Sequence, residues 1–215
     1  MAAEYRTFAG DGFSEVVEKK SRFLGEAVHV ETPQEAEEYI ARVRKKHYDA
    51  RHHCFAYVAG EPGTPEEVVR SSDDGEPSGT AGKPILEILT GRELHKVLIV
   101  VTRYFGGTLL GTGGLVRAYS AAGREAAEKA GILEVHQGMR LEIRCSYPAY
   151  GKLQYLFARE GITIENTEFS DSVLLTAIVP LQRSDGIKKL VTETTEGAAG
   201  IREAGTTEYF DTIKH

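Results

Sequence analysis

Residues 96–123 read KVLIVVTRYFGGTLLGTGGLVRAYSAAG, and the fold turns on how they divide. Val97 through Val101 is an unbroken apolar run rich in β-branched residues, the pattern of a strand covered on both faces and therefore central in its sheet. That pattern ends at Gly106-Gly107. Beyond the glycines the period changes: Leu115, Tyr119, Ala122, Ala126 and Ala130 recur on one helical face, with Thr112 as the expected cap and Gly131 as the residue that ends the helix. The segment is strand, glycine loop, helix.

Toward the N-terminus, the chain up to Val30 alternates through Phe23, Gly25, Ala27 and Val30, which predicts a pair of strands. Thr32-Pro33-Gln34-Glu35 is a capping box with proline at the first helical position. Behind it Ala36, Tyr39, Ile40, Val43 and His47 share the dry face of an amphipathic helix, while Glu37, Glu38, Arg42, Arg44, Lys45 and Lys46 supply the wet one. HHCFAYVAG (52–60) reads as another strand, and TAGKPILEILTGRE (80–93) as a short helix or turn.

Toward the C-terminus, strand MRLEIRCSY (139–147), helix AYGKLQYLFAREG (149–161), strands ITIENTEFS (162–170) and SVLLTAIVP (172–180), helix SDGIKKLVTETTEG (184–197) and strand GTTEYFDTI (205–213) follow one another. The order β-α-β-β-α-β is that of a split-βαβ, ferredoxin-like module, with Asp171 and Ser172 at its central hairpin. A complete module implies a boundary near residue 137, giving an α+β chain with domains at 1–136 and 137–215.

A chain of 215 residues, 41% hydrophobic and 27% charged, is expected to fold and bury a core. Its net charge is −6, with 17 basic against 21 acidic residues through His136 and 9 against 11 beyond it. That balance argues against coating nucleic acid or membranes by bulk charge, so any nucleic-acid contact must come from a local patch. Cys54 and Cys145 lie too far apart in sequence for a CxxC motif and read as reduced, buried thiols. No run of about 18 apolar residues exists. The start MAAEYRTFAGDG lacks the apolar core of a signal peptide, and the expectation is a cytoplasmic chain with no membrane contact.

Phosphate motifs fail when tested position by position. A P-loop requires glycine five residues before Gly82-Lys83, where Pro77 stands, and Ser or Thr where Pro84 stands. In GTGGLV, Gly111 and Gly113 supply two glycines of a dinucleotide fingerprint, but the third falls on Val116.

A less specific mechanism remains: a glycine loop feeding a helix start gathers free N–H groups and the positive end of the helix dipole. Candidate phosphate or nucleic-acid ligands are therefore the backbone of Gly106, Gly107, Gly111, Thr112, Gly113 and Gly114, flanked by Arg103 and Arg117. Arg124 follows two turns on, and Lys83 adds a further contact. Of Tyr104 and Phe105, one ring is free to stack while the other packs inward. The competing reading gives the glycines to close packing and positive φ, with the arginines merely solvated.

In RSSDDGEPSGTAGKP (70–84) the acids Asp73, Asp74 and Glu76 hold a cation, pair with Arg103 and Arg117, or simply make a turn. On their strand His52 and Cys54 face one side and His53 the other, so only two metal ligands converge. No catalytic residue, metal or cofactor is assigned.

SDDGEPSGTAGKPIL (72–86) and VVTRYFGGTLLGTGGLVRAYSAA (100–122) together resemble the signature of the IMPACT/YigZ family, whose core is matched by Arg103, Tyr104, Phe105, Gly106, Gly107, Leu110 and Gly111. The resemblance extends over almost the whole chain and implies the bacterial two-domain type. Its N-terminal domain would have the ribosomal-protein S-five domain-two-like fold, a β-sheet with helices on one face. Its C-terminal domain would resemble the ferredoxin-like domains of elongation factors. Eukaryotic members, which carry an RWD-type domain not matched here, regulate translation by competing for the co-activator of a stress kinase.

The resemblance implies a translation-linked setting, and together with the glycine loop it makes the leading expectation a non-enzymatic binding protein that contacts RNA, the ribosome or a translation-associated protein through that loop. Two alternatives are a phosphotransferase of the GHMP-kinase type, since that fold holds nucleotide phosphates at such a loop, and a pure protein–protein adaptor.

Overall fold

The computed structural model describes residues 5–212. It is an α+β structure of antiparallel sheets and helices, in two compact units that divide between Glu134 and Val135.

The first unit is built on a five-stranded antiparallel sheet. Its strands are β2 (Gly12–Glu18), β3 (Ser21–His29), β4 (His52–Ala59), β5 (Val68–Ser72) and β6 (Val97–Tyr104), in the order β2-β3-β6-β4-β5. A short β1 (Tyr5–Phe8) precedes them and touches the approach to β6, where His95 N–H donates to the Arg6 carbonyl at 2.8 Å. β6 is central, as its apolar run implies, and Val97 through Val101 are fully buried. Its side chains alternate, so Val97, Ile99 and Val101 enter one core while Leu98 and Val100 enter another. Each such burial stabilises the fold by roughly 1.5–3 kcal/mol.

Both faces must then be covered. Helix α1 (Pro33–Lys46) buries Ala36, Ile40 and Val43 on one face. Helices α2 (Gly82–Thr90) and α3 (Gly111–Ala130) cover the other with Ile85, Leu89, Leu115, Tyr119, Ala122 and Ala126. This corrects the expectation of helices on one face only: a central strand apolar on both sides cannot leave one side wet. The α1 cap forms as read, Thr32 Oγ1 accepting from Glu35 N–H at 3.2 Å. Thr112, by contrast, does not cap α3. The helix opens two residues earlier than that cap implies, at Gly111 after Leu110, with no side-chain cap.

The order continues as β7 (Ile132–Cys145), which begins before the division, α4 (Tyr147–Glu160), β8 (Thr163–Phe169), β9 (Val173–Pro180), α5 (Ser184–Thr194) and β10 (Gly200–Thr212), whose last two residues group with the first unit. These strands belong to a five-stranded sheet in which β9 lies antiparallel between β7 and β8, and β1 and β10 each pair with β7. Leu141, Ile143, Val173, Leu175, Ala177 and Val179 line one face and pack against Leu153, Leu156, Phe157, Ile187 and Val191 of the helices. Cys54 and Cys145 are both free and buried.

Candidate functional site

Antiparallel register sets Arg103 directly between Phe23 on β3 and His52 on β4. Because it shares its side of β6 with Val101 and Ile99, it points toward the α3 core, and its side chain is only 7% exposed. A buried guanidinium needs a counter-charge. Glu76, from the loop after β5 and only 4% exposed, supplies it: Arg103 Nη1 donates to Glu76 Oε1 at 2.6 Å. The Tyr119 hydroxyl of α3 donates to the same oxygen at 2.8 Å. Phe23 and Phe105 hold the guanidinium in place, their ring centroids 5.4 and 5.6 Å from its carbon. Burial pushes the Tyr119 phenol far up, with Cys54 and Glu76 adding to the effect.

The loop that delivers Glu76 is organised by its other two acids. Asp73 Oδ1 accepts from Ala81 and Gly82 N–H at 2.9 and 2.8 Å and Oδ2 from Gly79 N–H at 2.8 Å, so it caps the start of α2 from a distance. Burial alone raises its carboxyl, but these backbone donors outweigh burial and hold it below the ordinary carboxylate range. Asp74 pairs with Arg44 at 2.7 Å and accepts from His53 N–H at 2.7 Å. The three acids therefore turn to three different partners. Of the arginine pairings considered Glu76–Arg103 forms, and among the described residues none of the three acids pairs with Arg117. Cys54 gives its thiol hydrogen to the Asp73 carbonyl at 3.0 Å, and burial pushes the thiol up, away from nucleophilic duty.

The glycines separate by role. A Cβ on Gly106 would lie 2.0 Å from the Lys20 carbonyl carbon, so close packing against the β2–β3 turn demands glycine there. Gly107 has open space around it but a φ of +84°, which serves the turn. Gly111, Thr112 and Gly113 lie exposed in the first turn of α3, and Gly114 is buried under Leu110. Close packing and positive φ thus account for Gly106 and Gly107, while Gly111, Thr112 and Gly113 leave their backbone open to solvent at the helix start.

Between the loop and the buried pair lies a cavity of about 480 Å³, lined by His52, Glu76, Arg103, Phe105, Leu109 and Thr112 among others. Phe105 is 45% and Leu109 83% exposed at its mouth. Tyr104 is not part of it. Strand alternation turns it to the α1 face, where its hydroxyl meets His47 Nδ1 at 2.9 Å and Asp49 at 3.1 Å, and Arg22 lies over its ring. Phe105 is thus the ring left for stacking.

Arg117 and Arg124 lie two turns apart on the outer face of α3, exposed and without an ion pair among the described residues. Lys83 is likewise exposed, in the first turn of α2. Nearby acids are already engaged: Glu125 by Lys129 at 2.8 Å and Glu128 by Arg92 at 3.4 Å. The predicted residues therefore fall on three surfaces: the cavity, the outer α3 face, and the opposite side of the sheet. His52, Tyr119 and Arg51 were not among the predicted ligands. Only His52 carried a signal, through its strand position beside Cys54.

Residues 19–127 match the family model described as the Impact N-terminal domain, and residues 143–198 match a domain of unknown function, DUF1949. The chain is similar to the IMPACT family member YvyE of Bacillus subtilis, 35% identical over the whole of this chain and 98% of that protein. It is 38% identical to the IMPACT family member YigZ of Escherichia coli, over 75% of this chain and 79% of the other. A Dictyostelium discoideum protein named as an IMPACT homolog is 37% identical over 45% of this chain and 28% of its own length. A crystal structure described as that of an hypothetical protein superposes with a TM-score of 0.60 at 32% identity, covering 94% of this chain and 97% of that one.

Proposed function

The chain belongs to the IMPACT family, and from that membership and the exposed start of α3 we infer that it is a translation-associated regulatory binding protein that contacts RNA on the ribosome. The observation that carries this reading is the outer α3 face, where Arg117 and Arg124 stand unpaired while the neighbouring acids Glu125 and Glu128 are neutralised within the protein. Such a face attracts phosphates locally although the chain as a whole is acidic. The free N–H groups of Gly111, Thr112 and Gly113 open the same helix, and Lys83 stands exposed at the start of α2. Arg103 takes a different role from the one expected: paired to Glu76 and buried, it anchors the loop instead of reaching a phosphate.

On the same reading the first unit is a ribosomal-protein S-five domain-two-like fold. The second is ferredoxin-like, which its β-α-β-β-α-β order and β10-β7-β9-β8 sheet support. The phosphotransferase alternative has less behind it, because both oxygens of Asp73, both of Asp74 and one of Glu76 are held by internal partners, which leaves the acids of the adjoining loop a single free carboxylate oxygen. Among the described residues no helix is long and apolar enough to cross a membrane.

Formaldehyde crosslinking in lysate, with and without RNase, tests the proposal. Recovery of ribosomal RNA that is lost in an Arg117→Ala/Arg124→Ala variant supports it. Undiminished recovery in that variant removes the outer face from the account.

A further inference from the structure

The cavity under the Phe105–Leu110 loop offers polar atoms that the fold itself does not use. Glu76 and Arg103 are each more than nine-tenths buried. Even so, Glu76 Oε2 meets no donor among the described residues, and Arg103 Nε has no acceptor. His52 Nδ1 lies 2.9 Å from the Asp74 carbonyl, which can only accept, so Nδ1 carries a hydrogen, and in that tautomer Nε2 is the acceptor of the ring. That nitrogen lies 4.0 Å from Glu76 Oε1. Oε1 is the oxygen already taken by Arg103 and Tyr119, so the deep end of the cavity offers the second oxygen of the Glu76 carboxylate and His52 Nε2 as its acceptors.

The mouth has the opposite character. Thr112 with its hydroxyl, the exposed Arg51 and the unbonded N–H groups opening α3 are all donors. Between the two ends runs an apolar wall of Phe105, Leu109, Leu110 and Leu115. A ligand matching all three features has a flat ring with paired N–H donors on one edge and an anionic group at the other end.

We propose that this cavity binds a guanine nucleotide, the base edge donating from N1–H and N2–H to Glu76 and His52, the ring stacked on Phe105, and the phosphate beside Thr112 and Arg51. Adenine cannot substitute, because its ring nitrogen N1 accepts where guanine N1–H donates. A volume of about 480 Å³ lies within the range of small-ligand sites, about 300–1,000 Å³. A free nucleotide and an unpaired guanosine in an RNA strand share this chemistry. The site shares the N–H groups that open α3 with the outer face, but Arg117 and Arg124 take no part in it, so substitution of those two arginines tells the two sites apart.

Calorimetric titration of the full chain with 5′-GMP, 5′-IMP and 5′-AMP tests the proposal, alongside the tetranucleotides UUGU and UUUU. IMP lacks the N2 amine and binds about tenfold more weakly than GMP, and AMP more weakly again, since each leaves a buried acceptor unmet. Phe105→Ala removes one of the two rings that flank Arg103 and so lowers the melting temperature slightly, and in protein still fully folded at the titration temperature it lowers GMP affinity about tenfold. Glu76→Gln lowers it as well, and Arg117→Ala leaves it unchanged. Discrimination confined to UUGU over UUUU identifies an RNA strand as the source of the guanosine. The proposal is overturned by any of three results: binding of neither GMP nor UUGU at millimolar concentration, equal affinity for GMP, IMP and AMP, or a Phe105→Ala variant that binds like wild type.

Discussion

Replacing Arg103 with alanine leaves the Glu76 carboxylate buried with only the Tyr119 hydroxyl as donor, and removes the group held between Phe23 and Phe105. Breaking a buried ion pair on one side costs roughly 3–5 kcal/mol, because the remaining charge has lost its counter-ion but not its burial. For a unit of this size each kcal/mol lowers the melting temperature by roughly 3–5 °C. Arg103→Ala should therefore melt about 9–25 °C below wild type. Arg117→Ala, on an exposed and unpaired side chain, should stay within about 0.5 kcal/mol.

Paired urea and thermal melts followed by circular dichroism give both numbers. A third variant separates lost charge balance from lost packing: Arg103→Met/Glu76→Leu removes both charges and should be more stable than Arg103→Ala alone. An Arg103→Ala protein within about 3 °C of wild type would refute the buried pair as the anchor of this loop.

Further outcomes follow from the same geometry. Gly106→Ala drives a Cβ into the Lys20 backbone and should unfold the first unit, whereas Gly113→Ala, with nothing nearer than 3.8 Å, should keep or slightly raise stability; melting curves of the two decide between packing and solvent exposure. Asp73→Asn loses at least one of three backbone acceptor contacts and should cost about 1–3 kcal/mol at neutral pH. Because the folded carboxyl titrates below its ordinary 3.8, the ionised form stabilises the fold above that pH. That contribution is lost as pH falls through the lower, folded value, so the penalty measured by urea titration should shrink between neutral pH and pH 3. Residues 137–215, expressed alone, should show a cooperative unfolding transition; its absence would mean that the β7–β10 module depends on the preceding residues.

Much of the architecture was legible because it rests on local rules. The Val97–Val101 run gave a central strand, Thr32 and Glu35 a capped helix, and the alternation of Val173, Leu175, Ala177 and Val179 a half-buried one. Edge strand β5 was missed, since Val68 and Val69 are exposed and their strand character comes only from pairing with β4. The site was harder to read. Arginine is usually exposed, and nothing local says that Arg103 is buried or that its partner lies 27 residues earlier in a loop. Strand period alone would have separated Arg103 from Tyr104, because neighbouring residues on β6 face opposite cores. The placement of helices on both faces was likewise implicit in the unbroken apolar run.

The claim at the centre of the account is that the outer α3 face holds nucleic-acid phosphates. Ribosome co-sedimentation across a range of salt concentrations tests it most directly, comparing wild type with Arg117→Ala, Arg124→Ala and the double variant. Each lost phosphate contact should lower the slope of log affinity against log salt by about one, so the double variant should lose about two while melting like wild type. A double variant that co-sediments as wild type does at every salt concentration would contradict the claim.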